Sequence, residues 1–349
     1  MNPLILGMHC KQKSVIIHAM KTMNQKIQHH LEIPAEYSGQ RLDQVLVKLL
    51  PEYSRALIQK WIKSGQALLQ GKQVKPRTPV TGGENVSIEA QIESSTGEWK
   101  AQPLPINLVY EDEAILVINK PIGMIVHPGS GNPDYTLVNA LLHQYPDLEI
   151  LPRAGLIHRL DKDTSGLLVV AKTMSAYTLL NRQLKARKIR REYQCIVSGT
   201  MISGGTIDAP IARHPLHRKR MAIIETGRPA VTHYRILEKF RAHTRLKVRL
   251  ETGRTHQIRV HMAYIQHPII GDNTYGERLR LPKEATPELV KALREFKHQA
   301  LHADELGLTH PLSKEELSWK IDLPQDFQAL LACLREDTKE FNQADRHEY

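Results

Sequence analysis

Side chains that could carry out chemistry concentrate in residues 153–166 (RAGLIHRLDKDTSG). His158, Arg159 and Asp161 follow an apolar pair, and the segment then leads into an apolar stretch that predicts a buried strand. A carboxylate on a loop beside a core strand is well placed for catalysis, because the strand is rigid while the loop is open to a ligand. The same residues are also typical of a salt-bridged turn, and taken alone they favour that structural role, because polar loops are common.

Three further segments are rich in cationic side chains: 181–191 (NRQLKARKIRR), 213–220 (RHPLHRKR) and 251–261 (ETGRTHQIRVH). The first is typical of a solvated helix face or of a face that contacts phosphates, and the second of a loop that contacts nucleic acid. In the third, Arg and His side chains favour recognition of an anion or a carboxylate. Zinc binding by His256 and His261 is the less favoured interpretation, because their spacing differs from the usual helical one and no Glu lies between them.

The chain contains no Walker phosphate loop, no GxGxxG after a strand, no GxSxG and no HExxH. Its three cysteines are widely separated and form no CxxC or CxxH pair, so neither a zinc site nor a disulfide framework is indicated. We therefore expect no cofactor and no metal. The cysteine usage favours a reducing compartment, the cytoplasm.

Length and charge limit the class of protein. At about 150 residues per domain, the 349 residues predict two domains. The 48 Lys and Arg exceed the 37 Asp and Glu by 11, and this excess favours an anionic partner such as nucleic acid. No apolar run is long enough to span a membrane, and the first residues do not resemble a signal peptide. Met1 and Met23 are both candidate translation starts.

The elements that would position these groups predict an α+β fold with a mainly antiparallel or mixed sheet. Residues 115–119 and 166–171 are continuous apolar strands, residues 245–251 alternate, and residues 136–143 and 175–185 have helical patterns. We expect five regions: a poorly ordered extension (1–32), a small α/β unit (33–91), a linker (92–103), a larger unit (104–335) and a frayed tail (336–349).

Five motifs together resemble the RluA-type pseudouridine synthases. The first is HRLDKDTSG at 158–166, and the others are KPIGMIVHPG at 120–129, REY at 191–193, GRTHQIRVH at 253–261 and ALHA with HP at 300–303 and 310–311. The small unit resembles an S4 RNA-binding module. Residues 53–61 and 228–235 are most similar to the RluD-type members, which modify uridines in a hairpin of large-subunit (23S) ribosomal RNA.

The resemblance implies a role for individual residues. Asp161 is then the catalytic carboxylate, Arg259 pairs with it, and Tyr193 stacks on the target base and assists the final proton transfer. Arg159 would occupy the place left by the flipped-out uridine. The resemblance also implies substrate contacts by Arg254 and His256, and phosphate contacts in the S4 module by Arg41, Arg55 and Lys60. It implies a monomeric enzyme whose partner is ribosomal RNA and which needs no cofactor.

Two other functions are considered for the same residues. An RNA-binding factor for ribosome assembly could share the fold without activity, although it would have no need to keep Asp161, Tyr193 and Arg259 together. A hydrolase of glycosidic bonds would require a second carboxylate, for which Asp163 is the candidate. Product identity separates these functions, because a hydrolase releases free base whereas an isomerase leaves the RNA mass unchanged.

Overall fold

The computed structural model describes residues 25–50, 53, 55–92, 99–129, 131–217, 219–276 and 278–347. Within these residues the chain forms two units, and each has its own sheet and its own hydrophobic core. Residues 1–24 of the predicted extension and residues 93–98 of the predicted linker lie outside the described part of the chain. No helix among the described residues is long and apolar enough to cross a membrane.

The smaller unit packs two helices on a three-stranded sheet. Its elements are β1 (Gln25–Glu32), α1 (Leu42–Leu49), α2 (Arg55–Ser64), β2 (Ala67–Leu69) and β3 (Asn85–Ile92). The strands are antiparallel in the order β1-β3-β2. Apolar residues recur at helical spacing in both helices, and Val45, Leu46, Ile58 and Trp61 are buried against the sheet.

Strand β1 corrects the predicted extension, which was expected to be poorly ordered up to residue 32. Gln25–Glu32 pairs along its whole length with Asn85–Ile92 and therefore belongs to the smaller unit. The strand alternates as a half-buried strand should, with Ile27 buried and Gln28 exposed. The alternation is hard to recognise in the sequence because His29 occupies an inward position, where its Nε2 lies 3.0 Å from the Tyr53 hydroxyl.

The larger unit contains the remaining elements. Its strands are β4 (Leu108–Glu111), β5 (Ile115–Lys120), β6 (Ser165–Ala171), β7 (Arg190–Ser198), β8 (Gly205–Asp208), β9 (Ile211–Arg213), β10 (Met221–Ile223), β11 (Val231–Lys239), β12 (His243–Leu250), β13 (Leu301–Thr309) and β14 (Glu316–Lys320). Its helices are α3 (Leu137–Gln144), α4 (Met174–Lys185), α5 (Gln257–Tyr264), α6 (Pro287–Glu295) and α7 (Gln325–His347).

Nine of these strands form one mixed sheet in the described residues. The order is β4-β5-β6-β13-β7-β12-β11-β8, and β14 pairs with the outer part of β13. The β6–β13 pair is parallel and the other pairs are antiparallel, which confirms the predicted fold class. Strands β5 and β6 are almost wholly buried, as their continuous apolar runs predicted. The two predicted helices appear as α3 and α4, with Thr136 as the N-cap of α3.

The C-terminal residues correct the prediction of a frayed tail from residue 336. Helix α7 continues without interruption to His347. Its Leu330 and Leu334 are buried in the core of the larger unit, and Asp337 is also buried. Arg241 donates two hydrogen bonds to Asp337, at 2.7 and 3.1 Å, and this ion pair anchors the polar half of the helix. The tail looked solvated in the sequence because its anchor is a charged residue whose partner lies far away along the chain.

The end of the predicted linker belongs to the larger unit. Trp99 packs against the core of that unit, and the Asn139 side chain donates a hydrogen bond to the Lys100 carbonyl at 2.8 Å. The Gln102 backbone N–H donates to the Asn139 carbonyl at 2.9 Å. The larger unit therefore begins before residue 104, which was its predicted first residue.

Candidate active site

Asp161 lies in a tight loop that enters the centre of the sheet. Leu156 pairs with Val170 of β6, and the Thr164 N–H donates to the Asp161 carbonyl at 3.1 Å, which closes the turn. Strand β6 then runs between β5 and β13. Gly166 is required there, because its φ is +115° and an added Cβ would lie 2.2 Å from the Ala303 carbonyl oxygen. The loop is thus fixed to the most buried part of the larger unit.

Lys120 holds the back of this loop. Its side chain is fully buried, and its Nζ donates hydrogen bonds to the carbonyls of Pro121, Met124 and Lys162, at 2.7, 2.9 and 2.9 Å. Burial lowers the pKa of Lys120 to about 7, although the negative charges of Asp163 and Asp161 oppose this shift. Sequence reasoning placed Lys120 in a motif and gave it no role, since its three acceptors are backbone atoms.

Arg259 on α5 binds the Asp161 carboxylate directly. Its Nη1 donates to Asp161 Oδ2 at 3.1 Å, while its Nε and Nη2 donate to the two oxygens of Asp272 at 2.6 and 2.8 Å. Burial alone would lower the pKa of Arg259, but hydrogen bonds and charge from Asp272, together with Asp161, raise it. The guanidinium also lies 5.0 Å from the centre of the Tyr275 ring. Arg259 is therefore held rigidly and in turn positions Asp161.

His256 is the second side chain that faces Asp161. It occupies the N-cap of α5 with φ of 57°, and its Nε2 lies 3.9 Å from Asp161 Oδ2. Its Nδ1 lies 2.7 Å from the Tyr275 hydroxyl, which accepts a hydrogen bond from the Met221 N–H at 2.7 Å. Burial lowers the pKa of His256 and the charge of Asp161 opposes that effect. The imidazole is thus a largely neutral group beside the carboxylate.

Tyr193 lies on β7 opposite Val248 of β12, and its side chain is buried in the main core. Burial raises the pKa of the Tyr193 hydroxyl, while the charge of Arg191 opposes this and that of Asp161 adds to it. The tyrosine therefore stays neutral at physiological pH. It borders the same cavity as Asp161 and Arg259, so the structure brings the three predicted residues together.

The cavity has a volume of about 520 Å³, within the size range of sites for small ligands. Arg159 is exposed in the Asp161 loop, and Arg254 donates through Nε to the Pro229 carbonyl at 3.1 Å. The described lining residues include seven cationic side chains and only two carboxylates. The cationic ones are Arg153, Arg159, Lys185, Arg187, Arg191, Arg254 and Arg259, and the carboxylates are Asp161 and Glu251. This excess of positive charge suits a polyanionic ligand.

In the smaller unit, two of the three residues predicted to contact phosphates, Arg41 and Arg55, bind the same carboxylate, that of Asp43. Arg41 and Arg55 both donate to the fully buried Asp43, with their shortest contacts at 2.9 and 2.8 Å. Hydrogen bonds from Arg55 and Arg41 lower the pKa of Asp43, although burial, the largest effect, would raise it. Two guanidinium groups share one carboxylate, so a positive charge remains at the surface. Lys60 is exposed on the same helix as Arg55.

Sequence reasoning missed Asp272 and Tyr275. Asp272 lies 13 residues after Arg259 along the chain, in a Gly-Asp-Asn turn of ordinary composition. Its carboxylate accepts hydrogen bonds from the Thr274 and Tyr275 N–H groups, as an Asp in such a turn commonly does. Tyr275 follows in the same turn. No local spacing connects this turn to α5, and only the tertiary fold brings Asp272 to Arg259.

Models of two protein families match the chain. The model described as RNA pseudouridylate synthase matches residues 114–264, which include Asp161, Tyr193 and Arg259. The model described as S4 domain matches residues 40–86 of the smaller unit.

Curated relatives match over most of the chain. A protein of Pseudomonas aeruginosa named ribosomal large subunit pseudouridine synthase D is 52% identical over 319 residues, which cover 91% of this chain and 99% of the relative. Proteins of the same name from Xanthomonas campestris and Escherichia coli K12 are 54% and 52% identical, and the matches cover 88% and 91% of this chain and 92% and 98% of those relatives.

Two solved structures are similar to the larger part of the chain. Human RNA Pseudouridylate Synthase Domain Containing 4 gives a TM-score of 0.52 at 27% identity, and the match covers 66% of this chain and 93% of that structure. Human RNA Pseudouridylate Synthase Domain Containing 1 gives a TM-score of 0.50 at 27% identity and covers 69% and 95%. These similarities agree with the family that the curated relatives indicate.

Proposed function

The chain belongs to the RNA pseudouridylate synthase family, and we propose that it converts specific uridines of large-subunit (23S) ribosomal RNA to pseudouridine with Asp161 as the catalytic carboxylate. The names of relatives more than half identical to this chain support the RNA class. The observation that carries the catalytic assignment is the Asp161 carboxylate, held 3.1 Å from Arg259 at a cationic cavity.

The reaction needs a carboxylate and no external reagent. The N1–C1′ bond breaks, the uracil turns, a C5–C1′ bond forms, C5 loses its proton and N1 gains one. All atoms except the exchanged protons come from the substrate, so the proposal includes no cofactor. A carboxylate can attack C1′, add to the uracil ring or assist elimination to a glycal. Asp161 is suited to each of these routes because Arg259 fixes it and leaves it 16% exposed towards the cavity.

The target uridine must leave its stack before it reaches Asp161, at a cost of a few kcal/mol. Arg159 is exposed two residues before Asp161, where its planar guanidinium can take the place of the base in the RNA. The buried ring of Tyr193 offers an aromatic surface in the cavity on which the flipped uracil can stack. We assign substrate contacts rather than proton transfer to Arg254 and His256.

The smaller unit provides binding that does not depend on base identity. We propose that Arg41, Arg55 and Lys60 contact RNA phosphates and contribute a salt-dependent share of the affinity. The surplus charge around Asp43 supports this role. Since the proposed substrate is ribosomal RNA, we expect the protein to act in the cytoplasm, as a monomer.

Nucleoside analysis tests the proposed function. The full chain is incubated with transcribed 23S RNA and with isolated large ribosomal subunits, the RNA is digested, and the nucleosides are separated by liquid chromatography with mass detection. We expect a few pseudouridines per RNA molecule and no free uracil. Free uracil would identify a hydrolase, and tight binding without any product on either substrate would contradict the proposal.

A further inference from the structure

Arg191 borders the active-site cavity, and no carboxylate among the described residues pairs with its guanidinium. We propose that its guanidinium binds a phosphodiester next to the target uridine and so anchors the backbone of the flipped nucleotide. The inference deepens the proposed function and rests on it.

The side chain of Arg191 is buried but poorly satisfied. Arg191 is only 5% exposed, its Nε is buried without a hydrogen-bond partner, and its Nη2 makes a single long bond of 3.3 Å to the Glu251 carbonyl. Within the described residues no Asp or Glu forms an ion pair with it, and burial lowers its pKa with a small opposing effect from Tyr193. An arginine nevertheless remains charged in proteins.

The buried Arg259 and the mostly buried Arg241 of the larger unit are both paired with carboxylates. Arg259 binds Asp272 in a bidentate contact and also Asp161, and Arg241 binds Asp337. A buried charge without a counter-charge is strongly unfavourable, which is why such groups are normally paired. The unpaired state of Arg191 is therefore best explained by an anion that arrives with the substrate.

The position of Arg191 matches that of a nucleotide backbone. It precedes Tyr193 by two residues on β7, so both side chains leave the same face of the strand, and both border the cavity that holds Asp161. A Cβ added to Gly253 would lie 2.6 Å from Arg191 Nη1, so the absence of a side chain at this exposed position leaves room for the guanidinium.

His158 supports an acceptor-rich ligand at the same place. Its Nε2 accepts a hydrogen bond from the Val169 N–H at 3.4 Å, so the neutral ring carries its proton on Nδ1. This Nδ1 is buried and has no hydrogen-bond partner in the part of the chain that the structure describes. Burial and the charge of Arg191 lower the pKa of His158 to about 3, which keeps the ring neutral. The cavity lining thus contains two unsatisfied donors, and a phosphodiester with two unesterified oxygens presents the matching acceptors.

The test is a coupling measurement with modified RNA. Hairpins carry a neutral methylphosphonate at the phosphate on the 5′ side or on the 3′ side of the target uridine, or at a distant phosphate as a control. Dissociation constants and single-turnover rates are measured for the wild-type chain and Arg191→Gln. Arg335→Gln is the matched control, since Arg335 is a half-exposed arginine that pairs with Glu238 at 2.7 Å away from the cavity.

We expect one of the two flanking methylphosphonates to weaken wild-type binding about tenfold, the size of one charge-assisted hydrogen bond. Arg191→Gln should weaken binding of the unmodified hairpin by a similar factor, and the same methylphosphonate should then change it less than twofold. Arg335→Gln should behave as the wild type. The inference is overturned if neither flanking methylphosphonate weakens wild-type binding, or if the penalty seen in the wild type persists in full in Arg191→Gln.

A second variant covers the case in which Arg191→Gln does not fold. Gly253→Ala keeps the arginine but places a methyl group against Nη1, which can yield because it ends a flexible side chain. We expect this variant to lose part of the methylphosphonate effect, and an unchanged effect would count against the inference. Pseudouridine formation by the wild type is scored separately. If coupling is found without product, the proposed reaction fails alone; if product forms without coupling, the Arg191 assignment fails alone.

Discussion

Asp272 holds Arg259 and through it the Asp161 carboxylate, although Asp272 does not itself border the cavity. Its two oxygens receive bonds from Arg259 at 2.6 and 2.8 Å and from the N–H groups of Thr274 and Tyr275 at 2.8 and 3.0 Å. Asp272→Asn keeps the shape and can retain the two backbone bonds through its single oxygen. Its amide nitrogen would then take the place of Oδ2 and direct N–H donors at the Arg259 Nε.

The expected loss of unfolding free energy in Asp272→Asn is about 3–5 kcal/mol, the usual result of removing one partner of a buried ion pair. Released from Asp272, Arg259 no longer fixes Asp161, so the single-turnover rate should fall at least about tenfold while RNA affinity changes little. Burial would raise the pKa of Asp272, but hydrogen bonds from Arg259 lower it. The ion pair therefore stabilises the fold fully at pH values above the ordinary pKa of a carboxyl group. This stabilisation is lost as the pH falls through the lowered pKa of Asp272.

Urea unfolding monitored by circular dichroism measures the stability, and rapid-quench assays measure the rate. Asp326→Asn is the matched control, because Asp326 is a half-exposed acid that contacts His298 at 2.7 Å. Such a surface pair should contribute about 0–1 kcal/mol. If Asp272→Asn is as stable as Asp326→Asn and reacts at the wild-type rate, the positioning role of Asp272 is refuted. Below about pH 4, the wild type should lose more stability than Asp272→Asn.

Two further changes test how the catalytic loop is held. Lys120→Met should slow the reaction because it removes the bond to the Lys162 carbonyl, and it should also change the pH dependence of stability. The pKa of Lys120 is about 7 in the folded state and about 10.4 in the unfolded state. The stability of the wild type relative to Lys120→Met should therefore increase as the pH rises from the first value to the second, which urea unfolding at the two pH values measures. Gly166→Ala should destabilise the larger unit by more than about 2 kcal/mol, because its Cβ would lie 2.2 Å from the Ala303 oxygen; a melting temperature within a degree of the wild type would contradict this.

The sequence predicted those parts of the fold in which local pattern and final environment agree. Strands β5 and β6 are continuous apolar runs, and the structure buries them on both faces. The pattern did not predict an element where a polar residue occupies an inward position. The half-buried His29 interrupts the apolar alternation of β1, and the buried Asp337 interrupts the apolar pattern of the last part of α7. In both cases the polar group is satisfied by a distant partner that the local sequence does not contain.

The candidate site divides in the same way. Asp161, Tyr193 and Arg259 were predicted from a resemblance carried by several ordered motifs, and the structure brings them to one cavity. The residues that support them could not be predicted, because Lys120 acts on backbone carbonyls and Asp272 acts across the fold. Neither kind of contact leaves a regular spacing in the chain.

The most direct test of the central claim is tritium release from RNA labelled at C5 of uracil. The wild type, Asp161→Asn and Asp163→Asn are compared on the same ribosomal RNA and on ribosomal subunits; Asp163 is a matched carboxylate in the same loop that does not border the cavity. We predict release by the wild type and by Asp163→Asn, none by Asp161→Asn despite unchanged RNA binding, and no free uracil. Release by Asp161→Asn at the wild-type rate would contradict the account.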